Sequence, residues 1–154
     1  MSRVIDYRYD ECGLDNVILK DFHIVTDDAG EDMVMIPNIN RLHAVLVHAV
    51  ATKDSGLQPK EIRFLRTELG LTQAELAVLV GRDAQTIGRW ERGENPLDQT
   101  AEMVIRKHAL EHVDDGGGMT MEELARRTAR AATDRPFLID AHDPNAWRPA
   151  PIAA

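Results

Sequence analysis

Few residues in this sequence could do covalent chemistry. It holds a single cysteine, Cys12, which excludes an intramolecular disulfide and a thiolate cluster for structural zinc. No serine, threonine or cysteine nucleophile sits in a recognisable setting. Gly116-Gly117-Gly118 lacks the flanking strand and helix that a phosphate-binding glycine loop requires. His108 and His112 have the spacing of two metal ligands on a helix, and His23, His43 and His48 add imidazoles. A tetrahedral site wants four converging ligands, so solvated histidines are the simpler reading. No metal, cofactor or enzymatic activity is expected. What stands out is a polar row, Gln85, Thr86 and Arg89, left facing outward where Ile87 and Trp90, three apart, turn inward.

That row lies in the stretch LTQAELAVLVGRDAQTIGRWERG, Leu71 to Gly93, which reads as two short helices around a tight turn. Thr72 and Glu75 have the spacing of a capping box. Ala77 is the small residue that lets a second helix cross the first, and Gly81 supplies the positive φ of the turn. Asp83 is placed to cap the second helix and Gly93 to close it. Upstream, Pro59 suits a first helical turn, Ile62, Leu65 and Leu69 form an apolar stripe, and Gly70 fits the residue after the helix end. Downstream of Pro96, Asp98 can cap a further helix to about His112.

This stretch resembles the Xre/Cro/lambda-repressor family of helix-turn-helix DNA-binding domains, in its LTQ opening, its IxRWERG ending and a preceding helix with Arg63 and Arg66. The resemblance covers about Leu57 to Val113. It implies that Thr72 and Gln73 contact phosphate at a helix N-terminus. It also implies that Gln85 reads adenine, Arg89 reads guanine or clamps phosphate, and Thr86 touches a thymine methyl or phosphate from the major groove. Ala77, Gly81, Ile87 and Trp90 are its packing positions. Gln85 and Thr86 could instead be merely solvated, and Arg89 could pair with Glu94. Three positions depart from the family pattern. Arg82 replaces an aliphatic and could swing to phosphate. Gly88 sits inside the second helix at a cost of about 1 kcal/mol relative to alanine. Val78 and Leu79 are aliphatic where the family is charged, which suggests contact with another domain or subunit, or cover by neighbouring segments.

The net charge is −8, unevenly spread. Residues 1–54 carry 5 basic and 10 acidic side chains, residues 55–113 carry 8 and 9, and residues 114–154 carry 5 and 7. A near-neutral helix-turn-helix segment implies modest nonspecific affinity for DNA, so tight binding is expected to need a homodimer on a palindromic operator. No apolar run approaches the roughly 20 residues of a membrane helix, and the first residues are too polar for a secretory signal. A cytoplasmic protein is expected.

The expected fold class is α+β, mostly α, in three parts. Residues 1–54 form an αβ interaction or dimerisation domain. Val17 to Ile36 reads as a β-hairpin around Asp27-Asp28-Ala29-Gly30, and Leu42, Val45, Leu46 and Ala49 mark a helix. After a linker at Lys53 to Gly56, residues 57–113 form the helix-turn-helix domain. After a flexible break at Gly116 to Gly118, residues 119–154 form a C-terminal helix and a tail that is extended or disordered when alone. In that helix Thr120 and Glu123 make a second capping box, and Met121, Leu124, Ala125, Thr128 and Ala132 are the expected buried face. The proline-punctuated tail offers Phe137, Leu138, Ile139 and Trp147 as partner contacts beside Val78 and Leu79.

The start of the chain is similar in layout to the N-terminal domain of MqsA-like (YgiT-type) antitoxins, without the cysteine pairs of their zinc site. That resemblance implies an autoregulating antitoxin with a cognate toxin. The alternatives are a free-standing Xre-type regulator of a phage or mobile element, and a protein–protein adaptor whose helix-turn-helix no longer binds DNA.

Overall fold

The computed structural model describes residues 2–114, 119–128, 131–132 and 134–150. Two compact units result, one from residues 1–46 with 135–154 and one from residues 47–134. The expected break at Gly116-Gly117-Gly118 lies outside the described residues.

The first unit is a sheet ordered β1(Ser2–Arg8)–β2(Val17–Thr26)–β4(Phe137–Asp140)–β5(Arg148–Pro149), with β3(Asp32–Met33) also paired to β2. The hairpin around the acidic turn is present, but its second arm is only two residues long. β1 pairs antiparallel with β2, and the register shifts between Ile5 and Tyr7. There Lys20 and Asp21 oppose Asp6 alone, and Asp21 takes φ 58°. This bulge resets the two-residue alternation, so Leu19 and Phe22 are both buried although three apart.

The expected extended tail contributes β4 and β5 to this unit. β4 runs parallel to β2, with Leu138 opposite Ile18 and Ile139 opposite Leu19. Ile139 and Trp147 are each 1% exposed, and the Trp147 indole donates to the Pro37 carbonyl at 3.1 Å. These two residues are core and cannot serve as partner contacts. Phe137 is half-buried, and Leu138 alone of the four stays exposed. His43 is also accounted for, through a 2.6 Å hydrogen bond with the Tyr9 hydroxyl.

The boundary between the units falls inside α1(Ile39–Ala51). The second unit holds α2(Pro59–Glu68), α3(Gln73–Val80), α4(Ala84–Glu91), α5(Gln99–Asp114) and α6(Met121–Thr128). Ile62, Phe64, Leu65, Leu76, Ile87, Trp90, Ile105, Ala109, Leu110 and Leu124 fill its core. On α6 only Leu124 of the expected face is fully buried and Met121 is exposed; Ala132, also exposed, lies beyond the end of the helix at Thr128.

The expected linker at Lys53 to Gly56 is held firmly. Arg106 of α5 is 0% exposed and donates to the carbonyls of Lys53 (2.6 Å) and Ser55, and to the Glu102 carboxylate at 2.8 Å. Glu102 also accepts from the Leu57 amide at 3.3 Å. Lys53 pairs with Glu61 at 2.6 Å, both side chains nearly sealed from solvent. Burial raises the pKa of both Glu61 and Glu102 above the ordinary carboxylate range.

Candidate nucleic-acid interface

α3 and α4 are each set by local chemistry at their first residue. The Thr72 hydroxyl accepts from the Glu75 amide and the Glu75 carboxylate accepts from the Thr72 amide, both at 3.1 Å, which completes the capping box. Gly81 ends α3 in the left-handed region, φ 69° and ψ 36°, where a side chain would be strained. Asp83 then caps α4, accepting from the Thr86 amide and the Thr86 hydroxyl, both at 2.8 Å. These hydrogen bonds hold the Asp83 carboxyl below its usual range. Leu76 and Ala77 of α3 and Ile87 and Trp90 of α4 are buried, so α4 is seated by its apolar side.

A second join locks α2, α3 and α4 together. Arg66 reaches Glu91 with Nε at 2.6 Å and with a second guanidinium nitrogen at 3.0 Å, and also donates to the Leu71 carbonyl at 3.0 Å. The Gln73 amide donates to the same Glu91 carboxylate at 3.2 Å. Bidentate bonding of this kind fixes geometry as well as charge, and it holds the Arg66 guanidinium above its ordinary pKa. Beside the join, Arg63, Arg66, Gln73, Gly88, Glu91 and Arg92 line an open notch of about 240 Å³. The Arg66–Glu91–Gln73 cluster was not foreseen. Arg66 sits near the end of α2 and Glu91 at the end of α4, and no spacing rule pairs residues 25 apart.

With α4 fixed in this way, its remaining face is polar. Gln85 and Arg89 are exposed, and among the described residues neither side chain has a hydrogen-bond partner. Arg92 takes the Glu94 carboxylate at 2.9 Å, and Arg89 adds only a weaker charge attraction to it. Thr86 is less free than expected, since its hydroxyl proton is committed to Asp83. Arg82 turns to Asp98, at 3.3 Å, in an exposed ion pair. Val78 is 82% exposed and Leu79 40%, so among the described residues Val78 is left open and Leu79 is partly covered.

Residues 62–106 match the family model described as Helix-turn-helix. This segment is a Xre/Cro-type helix-turn-helix. The helix-turn-helix takes up under a third of the chain and supports a DNA-binding transcription regulator. In its terms α3 and α4 are the two helices of the motif. Searches of the curated proteins and of the solved structures find no match, and the antitoxin-like layout of the N-terminal residues gains no support from them. Among the described residues no group of three or more His, Cys, Asp or Glu side chains could hold a metal ion, and no helix is long and apolar enough to cross a membrane.

Proposed function

We propose that this protein is a sequence-specific transcriptional repressor of double-stranded DNA. In this reading it works in the cytoplasm as a homodimer on a palindromic operator and is the autoregulating antitoxin of a toxin–antitoxin pair. The observation that carries the DNA reading is the uncommitted polar face of α4, with Gln85 and Arg89 on a helix that is capped, buried on its other side and pinned through Glu91. Rigid presentation of a few hydrogen-bonding side chains is what base reading needs.

Each polar residue then has a part. Gln85 reads adenine by its amide, and Arg89 reads guanine through O6 and N7. Thr86, with its hydroxyl proton bound to Asp83, meets DNA through its methyl group, against a thymine methyl. Gln73 keeps one amide hydrogen beyond its bond to Glu91, and gives it to a phosphate next to the Thr72-capped N-terminus of α3. Arg82 reaches phosphate by leaving Asp98. That exchange is cheap, because exposed ion pairs contribute about 0–1 kcal/mol. Val78 and Leu79 serve the dimer.

The antitoxin role has its support in the resemblance of the N-terminal layout and in a β unit built apart from the helix-turn-helix. Co-purification with the product of the adjacent gene tests it; purification of the chain alone leaves a free-standing regulator. For the DNA reading, fluorescence anisotropy on the DNA upstream of the gene is measured across salt concentrations. Binding should weaken steeply as salt rises. Absence of binding at low salt favours the adaptor, which the near-neutral charge of residues 55–113 would suit.

A further inference from the structure

The sheet of the first unit has an outer face that its own core does not use. Val25 of β2 stands opposite Ser2 of β1 and Met33 of β3, and Val4 stands opposite His23. Alternation along a strand puts Val25 and His23 on one face and Ile24 on the other. Ile24 is buried, whereas Val4, Val25 and Met33 are each 52% exposed. In the chain that follows β3, Val34, Met35 and Ile39 are exposed as well, Met35 at 72%. Single exposed apolar residues are ordinary, but a contiguous set marks an interaction site, and methionine adapts its shape to what it meets. The adjoining turn and strand add Asp27, Asp28, Glu31 and Asp32, and no lysine or arginine occurs from residue 27 to residue 38. Asp27 is spent on the turn amides and Asp32 on Arg3 and Thr26.

We propose that this face docks a partner protein through a segment that is apolar and basic. Charge selects the occupant. A second copy of the chain would set one acidic turn against another, and nucleic acid would be repelled, whereas a cationic amphipathic segment satisfies both the methionines and the carboxylates. The proposal rests on the partner-holding half of the proposed function and gives that partner a chemistry and a place. It requires nothing of the helix-turn-helix.

The test uses the full chain with 13C-labelled methionine methyl groups and two synthetic amphipathic helical peptides. The peptides share their apolar positions and carry lysine in one case and glutamate in the other. The lysine peptide should bind and shift the Met33 and Met35 signals, and the glutamate peptide should not. The M33K/M35K variant, altered only at exposed sites, should bind the lysine peptide on the order of tenfold more weakly and bind DNA unchanged. Equal binding of both peptides would overturn the proposal. So would Met33 and Met35 signals that shift with the concentration of the chain alone, which would make the occupant a second copy. Binding that leaves those two methyls unmoved but is lost in Val78→Lys would overturn this surface and leave the partner role standing. No binding of the lysine peptide would overturn this surface, while the partner role stands or falls by co-purification.

Discussion

Gly88 occupies the middle of α4, where alanine is the better helix former by about 1 kcal/mol. An added Cβ would lie 3.0 Å from the tip of the Arg92 guanidinium and 3.6 Å from the Gln73 amide. The Arg92 tip is exposed and flexible and can withdraw. Gly88→Ala is therefore expected to raise stability, by about 0.5–1 kcal/mol, which urea unfolding will show as a higher midpoint at constant slope. Residue roles of this kind were legible wherever they were local. Thr72 with Glu75, Asp83 with Thr86, and Gly81 act within three or four residues of themselves, and their types announce them. The Arg66–Glu91–Gln73 join and the commitment of Arg82 to Asp98 were not legible, because their partners arrive from other helices.

At the scale of elements, the N-terminus of α4 depends on an ionised cap. Hydrogen bonds from Thr86 lower the folded pKa of Asp83 below its ordinary 3.8, and a negative charge there also suits the helix dipole. A lowered carboxyl pKa contributes stability that is present above the unfolded value and is lost as pH falls through the folded one. Asp83→Asn keeps a capping oxygen without the charge. It should melt below the native protein at neutral pH, and the gap should close as pH drops beneath the carboxylate range, as followed by circular dichroism. Helices were readable from caps and apolar period, since both are written within a turn or two. The sheet was readable only in part. The extra residue at Asp21 breaks the alternation of β2, and β4 pairs with residues 120 positions earlier in the chain, so four residues between prolines carried no period to recognise.

Over the whole molecule, the stretch from Ala51 to Leu57 shows how composition can mislead. Lys53-Asp54-Ser55-Gly56 has the polarity of a linker, yet its carbonyls are the acceptors of a fully buried arginine. Removing Arg106 orphans those carbonyls and leaves the Glu102 charge unpaired, so Arg106→Met is expected to cost about 3–5 kcal/mol. The exposed Arg82–Asp98 pair provides the contrast, with Arg82→Ala costing at most about 1 kcal/mol. Glu102 already has a raised pKa from burial, and loss of its cation raises it further. The penalty in Arg106→Met should therefore grow as pH rises through that value and shrink below it, which unfolding at two pH values will reveal. The same scale carries the proposed division of function, with a helix-turn-helix in one unit and an acidic, methionine-bearing face in the other.

The central claim is that α4 reads base sequence through Gln85 and Arg89. Both side chains are exposed and both lie outside the core and the Glu91 join, so Gln85→Ala/Arg89→Ala should fold as the native chain does. Anisotropy titrations of this variant on the upstream DNA and on a scrambled duplex, at fixed salt, measure the specificity ratio directly. The ratio should fall to near unity while weak binding to either duplex persists. A variant that still prefers the upstream DNA as strongly as the native chain would contradict the assignment of α4 as the recognition helix.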